Sequence, residues 1–388
     1  MNKKLFNILL SAGFLLLIFG VFFFYLFAGK NQVSILESRN LAQKPDFSAD
    51  AVSTGDYMKK WDVFFNDQFP RRDAFTELNM RVNQLALGQD VYKDVYVAPD
   101  GYLLTKVEQY TKADAKKIAD RVNNVGQSLQ KMDVKTSLVL VPNKSTVFEA
   151  KFPAYYPSFG REGYERLMPM INEKYVQNID ISQILYKNKN KANMFFYTDH
   201  HWQAKAAFLA SEKVTKEMNP GVKQLTMADW TWKLEGLPFY GSDARKTTSA
   251  LVSKSDQVMV AEQKHLSAPY KLDVIKEQRD SLYVKSRLTD PAVYANRYTT
   301  YIGTDYPEAH IQTPNPLTNK NLLIFKDSYA NAFIQFIAPY YANVHVLDLR
   351  YYKNLDLQAY VKKYDVDQAL LFFNNNSIYA TPQLTTFE

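Results

Sequence analysis

The chain has 388 residues with 47 Lys and Arg against 40 Asp and Glu, a net charge of +7. It contains no cysteine, which excludes a disulfide framework and thiolate metal sites. The basic residues are dispersed and no nucleic-acid motif is present, so the charge reads as a general surface property rather than a nucleic-acid footprint.

Met1-Asn2-Lys3-Lys4 is a short basic start, followed by an uncharged apolar run from Leu5 to Ala28. A helix of that length spans the roughly 30 Å hydrocarbon core. A cleaved signal would have a shorter apolar region of about 7–15 residues and a small-residue exit. The exit here is Tyr25-Leu26-Phe27-Ala28-Gly29-Lys30. Residues 1–30 are therefore expected to be an uncleaved single-pass anchor, with Lys3 and Lys4 cytoplasmic and the rest extracytoplasmic.

Residues 31–95 are polar and interrupted by Pro45, Gly55, Pro70 and Gly88. Asp56 to Phe65 and Arg72 to Leu87 have amphipathic helical patterns, which predicts a helical stalk packing on the main domain. Val97 to Leu104 reads as strand, turn, strand.

Helices and buried strands then alternate over 96–388. Ile118, Val122, Val125 and Leu129 lie at helical spacing, and Thr136 to Val141 is a strand ending at Pro142. A helix is expected from Glu162 to Lys174, another around Ser182 to Tyr186, and a strand over Met194 to Tyr197. Ala204 to Met218 is a helix stopped by Asn219-Pro220-Gly221. Residues 222–318 break the alternation and read as a β- and loop-rich insertion. Leu322 to Phe325 is a strand, followed by a helix to Ile337. Val344 to Leu349 and Ala369 to Phe373 are two more strands. Strands that are apolar throughout predict an α/β fold, a parallel sheet with helices on both faces. Sites in such sheets form at the carboxyl ends of strands. Pro142-Asn143-Lys144, Asp199-His200-His201, Asp327-Ser328 and Asn374-Asn375-Asn376 all fall there.

Only five histidines occur, and two are adjacent in Asp199-His200-His201-Trp202. Ser328 lies between a buried strand and a helix, where helix N–H groups can stabilise an oxyanion. In an extended segment residues i and i+2 point the same way, so Asp199 orients His201 rather than His200. Ser328, His201 and Asp199 together form the inventory of a nucleophile, a base and the carboxylate that fixes the base. Asn374, Asn375, Lys144, His200, Trp202 and Tyr329 are candidates for the oxyanion hole or substrate contacts. Blander roles compete: Asp199 and Asp327 as helix caps, Lys144 as an ordinary strand-end lysine, the asparagines as a plain turn. A zinc site would need three or four convergent ligands. Asp199, His200 and His201 have no third histidine nearby, with His345 the only remote candidate, so neither a metal nor a cofactor is expected.

These residues resemble the DHHW-motif proteins, relatives of the alginate O-acetyltransferase family and of SGNH hydrolases. The resemblance runs through Glu37-Ser38-Arg39-Asn40-Leu41-Ala42, Asn66-Asp67-Gln68-Phe69-Pro70-Arg71-Arg72-Asp73, Asp100-Gly101-Tyr102-Leu103, Pro142-Asn143-Lys144, Thr198 to Trp202 and Lys326-Asp327-Ser328-Tyr329-Ala330-Asn331. It implies an SGNH hydrolase-like fold, circularly permuted, because Asp199 and His201 precede Ser328. Lys326 replaces the glycine of the family's G-D-S and is expected to crowd the nucleophile turn. The resemblance also implies an extracytoplasmic serine O-acetyltransferase acting on a cell-surface polysaccharide, with a membrane-bound O-acyltransferase as acyl source. An acetyl esterase using the same triad, and a non-catalytic glycan-binding or assembly protein, are the alternatives.

Overall fold

A computed structural model describes residues 3–27, 29–34, 36, 39–275 and 277–387. Glu37 and Ser38 of the first motif, and Met1, Asn2 and Ala28 of the apolar segment, lie outside the described residues. The chain forms two compact units, Met1–Gln89 with Thr247–Leu251, and Asp90–Lys246 with Val252–Glu388.

In the first unit, Lys3–Phe27 is one helix, and Lys3–Gly20 within it is long and apolar enough to cross a membrane, with none of that stretch buried. Helices Asp56–Asp67 and Arg72–Leu87 follow. Asp67 ties the polar motifs together. It takes two bonds from the Arg39 guanidinium, at 2.6 and 2.8 Å, and one from the Ala42 N–H at 2.8 Å. Those bonds, Arg39 foremost, hold its carboxyl down at about 2.

The second unit is built on an eight-stranded sheet. Its strands are β1 (Lys135–Val141), β2 (Gln177–Asn178), β3 (Lys271–Val274), β4 (Glu277–Arg279), β5 (Glu308–Gln312), β6 (Asn321–Lys326), β7 (Asn343–Leu347) and β8 (Gln368–Asn374). Their spatial order is β4-β3-β5-β7-β6-β8-β1-β2. Side chains alternate between the faces: Leu322 and Ile324 enter one core, Leu323 and Phe325 the other. Helices Ala204–Met218 and Ala330–Ile337 fill the first core, and Lys112–Gln130 fills the second. Both faces are therefore covered, which is why the central strands carry no polar face.

Three expectations need correcting. The sheet is mixed rather than parallel. The pairs β7-β6, β6-β8, β8-β1 and β1-β2 are parallel, but β4, β3, β5 and β7 pair antiparallel. The 222–318 segment supplies β3, β4 and β5 to this sheet, besides its own hairpin of Trp230–Phe239 and Asp256–Gln263. Second, Met194 to Tyr197 is not a sheet strand. Its one ladder contact is an isolated bridge from Phe195 to Trp202. The Tyr197 and Thr198 N–H groups donate instead to the Asp256 carboxylate, each at 2.7 Å. An apolar run can thus be buried as a loop when a side chain replaces the ladder. Third, the helix expected to reach Lys174 runs from Gly160 to Leu167, and Pro169 converts its end to a 3₁₀ turn.

Candidate active site

Ser328 sits in the three-residue turn between β6 and helix Ala330–Ile337, half-buried between the buried Asp327 and Tyr329. The turn is fixed from several sides. Asp327 Oδ1 accepts the Tyr329 N–H at 2.9 Å, and its Oδ2 accepts the Asn374 N–H and side-chain amide at 2.7 and 2.8 Å. The Tyr298 hydroxyl donates to the Ser328 carbonyl at 2.9 Å, and the Trp202 indole donates to the Tyr329 carbonyl at 2.9 Å. Asp327 therefore braces the turn rather than capping the helix by the usual side-chain route.

The loop 198–202 lies opposite. Asp199 Oδ1 accepts the His201 backbone N–H at 3.0 Å and lies 2.6 Å from His201 Nδ1. The alignment expected from an extended segment is reached here by a turn closed on the carboxylate. His201 Nε2 lies 2.8 Å from Ser328 Oγ. With Nδ1–H donating to Asp199, Nε2 is the acceptor for the serine proton. His201 stacks on Tyr298, with centroids 3.6 Å apart and planes 5° apart, so the ring is clamped as well as hydrogen-bonded.

Asp199 is buried. Burial alone would raise its pKa, but the charge and hydrogen bond of His201 overcome this and hold the carboxyl well below its ordinary value. The Ser242 N–H adds a bond to Asp199 Oδ2 at 3.0 Å. A Cβ on Gly241 would stand 2.3 Å from the Asp199 Cβ, so only glycine allows that approach.

His200 points differently. Its half-exposed ring lies 2.6 Å from Ser242 Oγ through Nδ1. It lines a cavity of about 300 Å³ together with Asn143, Ser145, Ser242, Asn376 and Ser377. This cavity opens beside the Ser328 turn, since Tyr329 lines it too. Its walls carry hydroxyls, amides, an imidazole, the Asp243 carboxylate and the Lys246 ammonium.

The remaining sequence candidates are occupied by structural bonds. The Asn374 amide donates to Asp327 Oδ2 and Ser377 Oγ, and the Asn375 amide donates to Thr146 Oγ1 and the Gly160 carbonyl. Each amide has only two N–H groups, so neither side chain has a donor left for an oxyanion. The Lys144 ammonium donates to the carbonyls of Tyr197 and Asp199 and to Asp243 Oδ2, using all three of its hydrogens. Trp202 and Tyr329 are fully buried braces, the Tyr329 hydroxyl donating to the His200 carbonyl at 2.5 Å. Lys326 is buried and turns to Asp305 and Asn331, at 2.6 and 2.7 Å, instead of crowding the turn at Ser328.

Asp199, His200 and His201 bring ligand atoms within 4.8 Å of one another. His345 does not join them. Its Nδ1 lies 2.6 Å from His310 Nδ1 at the β5–β7 pairing. The residues that sequence reasoning missed are Tyr298, Gly241, Ser242, Asp243 and Asp256, all from the 222–318 insertion. The run Gly241-Ser242-Asp243 was the available signal, a turn-forming tripeptide with a hydroxyl and a carboxylate.

Residues 95–237 match the family model of an SGNH hydrolase-like domain, acetyltransferase AlgX. Among solved structures, Bacillus cereus PatB1 with a sulfonyl adduct aligns at 20% identity and a TM-score of 0.64, covering 76% of this chain and 98% of that one. A DHHW family protein from Eubacterium siraeum DSM 15702 aligns at 20% identity and a TM-score of 0.59, covering 76% of this chain and 97% of that one. No curated protein matches the chain. The second unit thus has an SGNH hydrolase-like fold.

Proposed function

We propose that this SGNH hydrolase-like protein is a membrane-anchored serine O-acetyltransferase that modifies a cell-surface polysaccharide outside the membrane. The observation that carries the reading is the relay from Asp199 through His201 to Ser328, with contacts of 2.6 and 2.8 Å. The match to an acetyltransferase domain model supports the acyl chemistry.

In this reading Ser328 Oγ attacks the acyl carbonyl of the donor and His201 Nε2 takes its proton. Collapse of the tetrahedral intermediate breaks the donor's acyl bond, and His201 returns the proton to the leaving group. The acetyl ester on Ser328 is then attacked by a sugar hydroxyl, which His201 deprotonates. Collapse of this second tetrahedral intermediate breaks the Ser328 Oγ–acyl bond, His201 returns the proton to Oγ, and the acetylated glycan departs. Asp199 holds the tautomer and stabilises the imidazolium. The helix Lys3–Phe27, about 37 Å long at 1.5 Å per residue, anchors the enzyme beside a membrane-bound O-acyltransferase that supplies the acyl group. Residues 31–95 serve as its stalk.

The test uses the full chain in detergent micelles with p-nitrophenyl acetate and intact mass spectrometry. One acetyl mass should appear on the peptide containing Ser328 and vanish in Ser328→Ala. A sulfonyl fluoride should block it, by the chemistry that leaves a sulfonyl adduct on B. cereus PatB1. Oligosaccharide acceptors should speed loss of the adduct. Loss to water alone would make the protein an esterase. No adduct at all would leave a glycan-binding module.

A further inference from the structure

Helix Arg72–Leu87 of the first unit is amphipathic in an inverted sense. Phe75, Leu78, Val82 and Leu85 recur at spacings of three and four residues, which puts them on one side of the helix. All four are exposed, at 58%, 57%, 51% and 86%. The opposite side makes the contacts within the unit. Glu77 accepts a hydrogen bond from the Ser249 hydroxyl at 3.2 Å, and the Met80 sulfur accepts one from the Thr248 hydroxyl at 3.8 Å. Thr76, Asn83 and Gln84 are half-buried on that side too. Polar residues therefore face the packed side and apolar ones the open side, the reverse of a helix on a water-soluble core. A contiguous exposed apolar stripe marks a surface that something else covers.

The place of this helix in the chain says what covers it. Tyr25, near the end of helix Lys3–Phe27, packs on Phe64 and Phe65 of helix Asp56–Asp67, with ring centroids 6.3 and 5.3 Å apart. Trp61 lies next to them, its ring 5.2 Å from that of Phe65. The Lys30 ammonium donates to the Tyr25 carbonyl at 2.8 Å and sits 3.5 Å from the Tyr25 ring centroid. Tyr, Trp and the head of a Lys side chain gather at the headgroup level of a bilayer. The Gln68 side chain then bonds both the N–H and the carbonyl of Asn31, at 2.9 and 2.8 Å. Gln68 caps helix Asp56–Asp67, and the next helix begins at Arg72. The start of the helix that bears the stripe is thus pinned to the residue after Lys30, at the outer end of the apolar helix. Phe69 meets Phe75 edge-on at 5.7 Å, so the stripe begins at that level. Exposed Arg81 flanks it, where a guanidinium reaches lipid phosphates while its stem lies along apolar surface.

We propose that Arg72–Leu87 is an interfacial helix whose Phe75, Leu78, Val82 and Leu85 side chains enter the outer surface of a phospholipid bilayer. The inference rests on the anchor reading above and goes beyond it: the first unit is held to the bilayer by two elements rather than one.

The absence of cysteine from the chain makes single-site labelling clean. Leu78→Cys, Val82→Cys and Leu85→Cys are each made in the full-length protein, spin-labelled and reconstituted into phosphatidylcholine vesicles. The substituted side chains are exposed, so the fold tolerates the change. Collision rates with oxygen, which concentrates in lipid, and with a water-soluble nickel chelate give the depth of each label. All three should lie about 5–10 Å below the headgroup boundary. Lys116→Cys, on an exposed side chain of the second unit, supplies the water reference, and Leu15→Cys reads the anchor. Stripe labels as accessible to nickel as the label at position 116 overturn the proposal. Labels shielded from both reagents overturn it as well, because a protein surface, a second copy included, would then cover the stripe. If position 15 reads as bilayer interior and the stripe as water, only this inference falls. If position 15 reads as water and the stripe as lipid, the interfacial helix stands and the spanning anchor falls.

Discussion

The Lys144 ammonium donates to the backbone carbonyl of Asp199 at 2.6 Å. A lysine three residues past β1 thereby holds the loop that carries the proposed base. Lys144 also pairs with Asp243, both side chains being almost fully buried. Removing one member of a buried pair leaves an uncompensated charge and typically costs about 3–5 kcal/mol. Lys144→Met should destabilise the protein by that order in urea melts and reduce turnover through the loosened loop. Lys144→Met with Asp243→Asn should recover much of the stability. If Lys144→Met melts like wild type, the brace is not structural.

The two adjacent histidines should separate cleanly. His201 contacts both Asp199 and Ser328, whereas His200 meets Ser242. General-base assistance is worth about 10²–10⁴-fold. His201→Ala should lose that much kcat/KM on p-nitrophenyl acetate, and His200→Ala only a few-fold. The reverse ranking would reassign the base.

Asn375 should behave as a structural clip. Its carbonyl accepts the Asn143 N–H at 2.9 Å, and its amide bonds Thr146 and Gly160, each at 2.9 Å. Asn375→Ala strands these buried partners and should cost about 1–3 kcal/mol of stability. Its kcat, measured well below the melting temperature, should stay near wild type. A hundredfold fall in kcat with unchanged stability would instead place this amide at the oxyanion.

Asp256 gives a pH signature. Burial raises its carboxyl from 3.8 to about 6, despite the bonds from Thr198 and Tyr197 that oppose the shift. Between about pH 4 and 6 the folded protein therefore holds a proton that the unfolded chain has lost. Stability from this group is full below pH 4 and falls as pH rises through 6, by about 3 kcal/mol for a two-unit shift. Asp199 works oppositely, its depressed pKa withdrawing stability as pH falls below about 4. Thermal melts of wild type and Asp256→Asn should thus diverge in slope between pH 4 and 6. Parallel curves there would show that Asp256 stays ionised.

Much of this arrangement was legible in the chain. The central strands announce themselves as short apolar runs, and three polar clusters fall just past β1, β6 and β8 as the rule for such sheets requires. Asp199, His201 and Ser328 could be grouped because each residue type is scarce or specially placed. What could not be read was how donors would be spent. Asn374 and Asn375 carry the right chemistry for an oxyanion, but their partners Asp327, Ser377, Thr146 and Gly160 lie far away in sequence or across the turn. Met194 to Tyr197 has a strand's composition, and only the remote Asp256 makes a loop affordable there. The insertion's strands β3, β4 and β5 are only four, three and five residues long, so the alternation of β3 and β5 is too brief to place them in the main sheet.

The pairing of β8 with β1 joins Gln368 to Lys135 and Asn374 to Val141. β8, the last of these strands in chain order, is thus an interior strand, flanked by β1 and β6 on either side. Closing such a distant pair is entropically slow and offers no partial reward. A ribosome that has made everything up to Tyr364 has already produced Asp199, His201 and Ser328, but β6 and β1 still lack the strand that joins them. Asn374, which braces the Ser328 turn through Asp327, is also missing at that stage. The braced turn proposed to carry the nucleophile is therefore complete only once β8 has paired between β1 and β6.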